Sequence, residues 1–533
     1  MRPKPSLGKL RAMPEVILTT LNAKYIHASF GLRYLMANLG TLKPHACIAE
    51  FDINQRPVDI AEVLLAQNPK IIGFGVYIWN VTPTREVIAT IKRISPNVIV
   101  ILGGPEVSYD TPPIIELADY VITGEADLKF AEVSRQILAG NRPATRLIPA
   151  ELPEFSQLEL PYELYNDDDI AHRIIYVEAS RGCPFTCEFC LSSLDIPVRQ
   201  APLPLVLKHL QRLLDRGVKQ FKFVDRTFNL NLSASKTVLE FFLERYRPGH
   251  FFHFEMVPDR LPEALRDIIA QFPPGALQFE VGIQTFNPEV GTLIKRRQNY
   301  ERLEENFRFL RGQTGVHVHA DLIVGLPGES LESFAAGFDR LIQLGPQEIQ
   351  VGLLKRLRGT PIVRHDTEWE MVYNPEPPYE ILQNKLIPFA LIQKLRRFAR
   401  YWDLVGNSGN FVESTPLLWS ERKSPFAAFM HWSEWLHARV GRTDSIALVR
   451  LMQFLFEFLT SELNLDAKIC ARTIWADYRR GGRHDRPGFL LDFLPKEEPG
   501  DGTPSKRTLP KRQARHLVKG VSARLGHSNI VKT

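Results

Sequence analysis

The chain has 533 residues, too many for one ordinary hydrophobic core, so two or three domains are expected. Hydrophobic residues make up 44% and charged residues 24%, the balance of a globular protein, and a net charge of +6 is too small at this length to argue for nucleic acid. Five cysteines exclude a disulfide scaffold.

Nothing before the first strand-like run has the apolar stretch of a signal peptide. The runs EVILTT, KIIGFGV, NVIVIL and DYVITG then have the β-branched content of buried parallel strands, with helices expected at 29–39, 58–67, 84–94 and 126–138. Residues 1–145 are therefore predicted to form a doubly wound, Rossmann-like α/β domain that binds ligands at its C-terminal strand ends. Residues 146–170, with several prolines and the acidic run Asp167-Asp168-Asp169, read as a linker.

A second alternating series begins at 171. Its strands are expected in RIIYVEA, QFKFVD, FFHFEMV, LQFEVGI, VHVHADLIVG and EIQVGLL, and its helices at 203–216, 234–246, 260–270, 300–312 and 330–343. Six units are fewer than the eight of a complete TIM barrel, so a partial (β/α)6 barrel over 171–370 fits the count. From 371 to 495 the strand pattern stops. Ile387, Leu391, Leu395, Phe398 and Trp402 recur at helical spacing, a second helix is expected at 446–461, and the region reads as a mostly helical C-terminal domain. Its longest apolar stretch, 446–459, is interrupted by Arg450, Gln453 and Glu457 and is shorter than the about 20 residues that span a bilayer. A cytoplasmic protein is expected. Residues 496–533 are basic, poor in large apolar side chains, and read as a disordered tail.

Three of the five cysteines fall in one loop after the first barrel strand, Arg181-Gly182-Cys183-Pro184-Phe185-Thr186-Cys187-Glu188-Phe189-Cys190. Three thiolates there can each bind one iron of a cubane, leaving the fourth iron without a protein ligand and open to a small molecule. The competing reading is structural zinc, which wants four ligands. No fourth Cys or His stands at a matching spacing, and Cys47 and Cys470 are isolated in other predicted domains.

CxxxCxxC with Phe189 before the last cysteine, after the first strand of a partial barrel, closely resembles the radical SAM signature. The resemblance implies a [4Fe–4S] cluster on Cys183, Cys187 and Cys190. It implies S-adenosylmethionine chelated to the open iron and cleaved reductively to a 5′-deoxyadenosyl radical. Further segments resemble the same family: Phe223 to Asn229 with Asp225 after the second strand, Glu280 to Thr285 with Gln284 at the fourth, and Asp321 to Glu329 at the fifth. On that resemblance Asp225, Glu280, Gln284 and Asp321 are candidate contacts of S-adenosylmethionine, and Glu178 and Arg181 border it. A low-potential electron donor such as flavodoxin or ferredoxin is implied as partner.

In the first domain Gly73-Phe74-Gly75 ends one strand and Gly103-Gly104 the next. Paired glycines let a ligand approach the backbone closely, but the third glycine of a dinucleotide fingerprint is missing. Placed directly before such a barrel, the domain resembles the cobalamin-binding domain of cobalamin-dependent radical SAM proteins. That makes Gly75, Gly103 and Gly104 candidate contacts of the nucleotide tail. The DxHxxG motif of some cobalamin proteins is absent, so His27 is not expected to ligate cobalt and base-off binding is.

The expected function is methylation of an unactivated carbon of a small molecule, or else of an RNA or peptide. The alternatives are cobalamin-dependent cyclisation or rearrangement, and an Fe–S or cobalamin sensor contacting nucleic acid through the basic tail. An RNA methylthiotransferase would need cysteines for a second cluster that the chain does not have. The helical C-terminal domain resembles an uncharacterised extension of one subgroup.

Overall fold

The computed structural model describes residues 13–110, 113–194, 197–421, 423–495 and 510–517. The N-terminal domain runs β1 (Val16–Asn22), α1 (Phe30–Ala37), β2 (Ala46–Asp52), α2 (Pro57–Leu65), β3 (Ile71–Gly75), α3 (Val81–Ile94), β4 (Ile99–Gly103), a short α4 (Pro105–Ser108), β5 (Tyr120–Thr123), α5 (Lys129–Leu138) and β6 (Leu147–Pro149). All six strands are parallel, in the order β2-β1-β3-β4-β5-β6, with helices on both faces. The central strands are buried on both sides, which is why they read as continuous apolar runs.

The segment read as a linker is largely structured. β6 pairs with β5 and extends the first sheet past residue 145. The acidic run forms α6 (Asp167–His172), whose first turn it occupies, where negative charge suits the helix dipole. Asn166 and Asp169 cap each other's backbone, and buried Asp169 holds Arg33 at 2.8 Å. A local reading of proline and charge could not see that distant arginine.

The second series runs β7 (Ile175–Val177), a small antiparallel pair of β8 (Ser180–Arg181) and β9 (Arg199–Gln200), α7 (Leu203–Asp215), β10 (Gln220–Phe223), α8 (Leu232–Glu244), β11 (Phe251–Met256), α9 (Glu263–Ile269), β12 (Leu277–Gln284), α10 (Pro288–Leu293), α11 (Tyr300–Gln313), β13 (His317–Val324), α12 (Leu331–Leu344) and β14 (Glu348–Leu353). Its six parallel strands lie in the order β14-β13-β12-β11-β10-β7, an open partial barrel as the count predicts. Side chains alternate along each strand. Phe221, Phe252, Phe254, Phe279, Val318, Ala320 and Leu322 are buried in the apolar core, whereas Lys222, His253, Glu255, Glu280, His319 and Asp321 alternate with them on the other face.

A small antiparallel pair, β15 (Val372–Tyr373) and β16 (Ile381–Gln383), leads into α13 (Phe389–Leu404), α14 (Pro425–Val440), α15 (Leu448–Glu457) and α16 (Ala467–Arg480). This region shares one core with the barrel: Phe338 of α12 meets Phe398 at 5.2 Å and Trp402 at 4.9 Å between ring centres. Among the described residues no helix is long and apolar enough to cross a membrane.

Within the segment read as a disordered tail, α17 (Lys511–His516) is a docked helix. Polar contacts hold it: Arg512 pairs with Glu348 at 2.9 Å and Asp403 at 2.8 Å, and Arg515 donates to the Ser408 carbonyl at 2.8 Å. Composition alone counts apolar residues and misses such a dock. Residues 496–509 and 518–533 lie outside the described residues.

Candidate functional site

Arg181 ends β8 immediately before the cysteine loop and lines a slot of the first domain. Its guanidinium binds Glu178 at 2.9 Å within that segment, and Glu125 at 2.8 Å and Asp127 at 3.0 Å from the loop after β5. It also lies 4.3 Å over the Tyr34 ring of α1. A buried guanidinium is tolerable only when so fully partnered. Burial pushes the Glu178 carboxyl up to about 7 against the pull of Arg181.

On the barrel side the cysteine loop is set by a turn at Gly182, whose φ of +87° suits glycine. Cys183, Cys187 and Cys190 all line one cavity of about 150 Å³ with Phe185, Phe189 and the strand ends of the barrel. No other Cys or His lines it among the described residues. The donor set is therefore three soft thiols, which fits a cubane with one open iron and lacks the fourth thiol or imidazole of the commonest structural zinc sites. Arg296 reaches the site from the loop after α10, donating to the Cys187 sulfur at 3.6 Å and to the Gly282 carbonyl. Glu188, inside the motif, is 1% exposed by side chain and anchors the loop to His365 at 2.7 Å, Arg364 at 3.0 Å and Lys295 at 3.5 Å.

The structure brings Glu280, Gln284 and Asp321 into this cavity. β12 breaks register between Gly282 and Gln284, and Gln284 takes a φ of +72°. Such a bulge re-aims a side chain, here toward the cavity, at a conformational cost that strand pairing must offset. Burial pushes Glu280 up, but hydrogen bonding from His253 at 2.9 Å and the charge of Lys222 at 3.3 Å hold it below the usual carboxylate range. Burial raises Asp321.

Asp225 does not line this cavity. Its carboxylate is 3% exposed and accepts from the Ala179 amide at 3.0 Å and the Ser180 hydroxyl at 2.6 Å, so it braces the entry to the cysteine loop. The neighbours Arg226 and Thr227 line the cavity instead. A strand-end aspartate looks the same in sequence whichever way it points.

Glu329 closes the segment that begins at Asp321. It is 2% exposed, accepts from Thr285 at 2.6 Å, has no ion pair among the described residues, and burial pushes its carboxyl up to about 7. A carboxyl raised in the folded state favours folding at low pH, and its contribution is lost as pH rises toward 7. Between pH 5 and pH 8 the urea unfolding free energy of the wild type should fall by about 2–3 kcal/mol more than that of Glu329→Gln. Identical pH slopes would contradict this.

The slot that Arg181 lines has a volume of about 240 Å³ and lies at the C-terminal ends of β3, β4 and β5, with Gly31, Gly75, Tyr77, Gly103, Gly104 and Phe130 among its other lining residues. A Cβ at Gly103 would meet nothing nearer than the Ile122 carbonyl at 3.7 Å, and one at Gly75 would make ordinary contacts at 3.5 Å. The fold does not require glycine at either position, so the cradle they leave fits a ligand. Gly73 and Gly104 differ. A Cβ on Gly73 would strike the Phe130 ring at 2.7 Å, and Gly104 has a φ of +105° with the Val76 carbonyl 2.5 Å from its Cβ position. His27 does not line the slot, and its Nδ1 pairs with the Tyr176 hydroxyl at 2.7 Å.

Residues 16–134 match the B12 binding domain and residues 177–341 the Radical SAM superfamily, while 367–523 match a protein family of unknown function, DUF4080. The chain is a cobalamin-binding radical SAM protein. It is 26% identical over 315 residues to an uncharacterized methyltransferase of Pyrococcus horikoshii, covering 52% of this chain and 65% of that one. It is 23% identical over 319 residues to the cobalamin-dependent radical SAM methyltransferase TokK of Streptomyces tokunonensis, covering 52% and 46%. Among solved structures it matches OxsB, a cobalamin-dependent S-adenosylmethionine radical enzyme with aqua-cobalamin and S-adenosylmethionine bound. That match has a TM-score of 0.61 over 90% of this chain and 83% of that one, at 12% identity. This radical SAM protein thus spans less than two thirds of the length of either curated relative. The cofactors of the family are a [4Fe–4S] cluster, S-adenosylmethionine and cobalamin, and both cavities suit them.

Proposed function

We propose that this chain is a cobalamin-dependent methyltransferase acting on an unactivated carbon. Cys183, Cys187 and Cys190 hold the cluster, Glu280, Gln284 and Asp321 contact S-adenosylmethionine, and Gly75 and Gly103 cradle the nucleotide tail of cobalamin, beside Gly104, which lines the slot but is held to glycine by the fold. The observation that carries this reading is Arg181, one side chain that borders the glycine slot and leads into the cysteine loop. A slot and a cysteine loop joined by so short a segment of chain suit two cofactors that act on one substrate.

Bound there, the cluster supplies low-potential electrons and cobalamin supplies methyl-carrying chemistry. The chain's own part is positional. Arg296 donates to the Cys187 sulfur and to the Gly282 carbonyl, and so fixes the cysteine loop against β12. Glu280, kept ionised by its neighbours, is an acceptor for hydroxyl or ammonium donors, and Gln284 on its bulge offers both a donor and an acceptor. Flavodoxin or ferredoxin is the class of electron donor such a cluster needs, in a reducing cytoplasm. The methyltransferase names of the Pyrococcus and Streptomyces relatives support the reaction class.

S-adenosylhomocysteine is the product that separates methyl transfer from the alternatives. The reduced, fully loaded protein should form it from S-adenosylmethionine in a cobalamin-dependent manner, up to about one equivalent per chain without substrate. Formation of 5′-deoxyadenosine with no S-adenosylhomocysteine, in protein carrying cobalamin, would instead favour cyclisation or rearrangement.

A further inference from the structure

We propose that the substrate carries a carboxylate or phosphate and lies in the polar interior of the barrel, its anionic group on an arginine cluster formed by α13 and α17. This deepens the function proposed above and rests on it for the word substrate.

The interior of a parallel barrel is ordinarily filled with branched apolar side chains. Here Lys222, His253, Glu280, His319 and Gln350 instead line a cavity of about 1050 Å³, together with Arg512 and Gln513 of α17. Folding alone gives no reason to line a volume of that size with ionisable groups, each of which costs desolvation. Glu280 also lines the cysteine cavity, so the polar tract and the cluster site share a wall at that side chain.

At its other end the tract passes, through His319, Gln350 and Arg512, into a second cavity of about 550 Å³. One face of α13 forms that wall. Gln393, Arg396, Arg397, Arg400 and Asp403 recur there at three- and four-residue spacing, while Ile392, Leu395, Phe398 and Trp402 turn into the core. A charged helix face in open solvent would need no explanation, but this one lines a cavity that shares His319, Gln350 and Arg512 with the polar interior of the barrel. Arg512 completes it from the opposite side. Four guanidinium groups face a single carboxylate in the lining, that of Asp403. Arg396 is paired with Glu380 at 3.1 Å and Arg400 with Asp403 at 3.2 Å, whereas Arg397 has no ion pair among the described residues. Guanidinium groups bind carboxylate and phosphate in bidentate fashion, which makes them suited to fix such a substrate's orientation.

Calorimetric titration of the full-length, cluster- and cobalamin-loaded protein with inorganic phosphate and, separately, with succinate tests this. At least one anion should bind at millimolar or lower concentration, and the responding anion names the acidic group. Arg397→Gln should weaken that binding at least tenfold and Arg396→Gln/Arg397→Gln further, with Arg397→Lys retaining part of it. No binding of either anion, equal binding in Arg397→Gln, or tighter retention of a short RNA than of both anions would overturn the inference. Cluster and cobalamin are assayed in the same samples. Their presence without anion binding defeats this inference alone, and anion binding without them defeats the proposed function alone.

Discussion

Replacing Cys183, Cys187 or Cys190 with Ala should remove the iron and sulfide that anaerobically reconstituted wild-type protein holds, about four of each per chain. The three thiols line one cavity that no other Cys or His enters among the described residues, so no substitute ligand of that kind stands by to rescue the cluster. Cys47→Ser and Cys470→Ala should keep full iron content. Cys470 is wholly buried in α16, and Cys47 donates to Gln67 at 3.4 Å within the first domain. Iron and sulfide assays on the five variants decide it. Stoichiometric zinc without sulfide in the wild type, or an unchanged cluster in any of the three variants, would contradict the assignment.

The second large effect separates two adjacent glycines. Gly103→Val should reduce hydroxocobalamin affinity at least tenfold with a thermal midpoint close to wild type, because its Cβ would meet only the Ile122 carbonyl, at an ordinary 3.7 Å, while the side chain takes up space in the slot. Gly104→Val should instead destabilise the domain by about 2–4 kcal/mol, since it combines a left-handed backbone with a Cβ only 2.5 Å from the Val76 carbonyl. Spectroscopic titration and thermal unfolding of both variants read the two effects independently. Normal cobalamin affinity in Gly103→Val would contradict the proposed cradle, and wild-type stability in Gly104→Val would contradict the steric account.

The architecture was legible because the central strands of the first domain, buried on both faces, leave continuous apolar runs, and the six barrel strands stand out as short β-branched and aromatic runs between helical segments. The cysteine spacing located its loop for the same reason, since it is local in sequence. What stayed hidden depends on distant partners. Asp169 is buried because Arg33 meets it, and α17 docks on Glu348, Asp403 and the Ser408 carbonyl, which lie far from it in sequence. Arg296 carries no motif. It matters because the chain folds it back onto Cys187 and Gly282. Asp225 was rightly placed at a strand end, but its direction is fixed by the amide of Ala179 and the hydroxyl of Ser180, which sequence does not orient. The glycines divide likewise. Backbone torsion and the Val76 carbonyl, not the identity of the residue, decide that Gly104 serves the fold while Gly103 is free to serve a ligand.

The central claim is that the three-cysteine loop carries a cluster that cleaves S-adenosylmethionine reductively, and product chromatography tests it most directly. Protein with an intact cluster, reduced by a strong low-potential donor and given S-adenosylmethionine, should release 5′-deoxyadenosine, slowly in the absence of substrate. A cluster verified as intact and reduced that yields no 5′-deoxyadenosine would contradict the account.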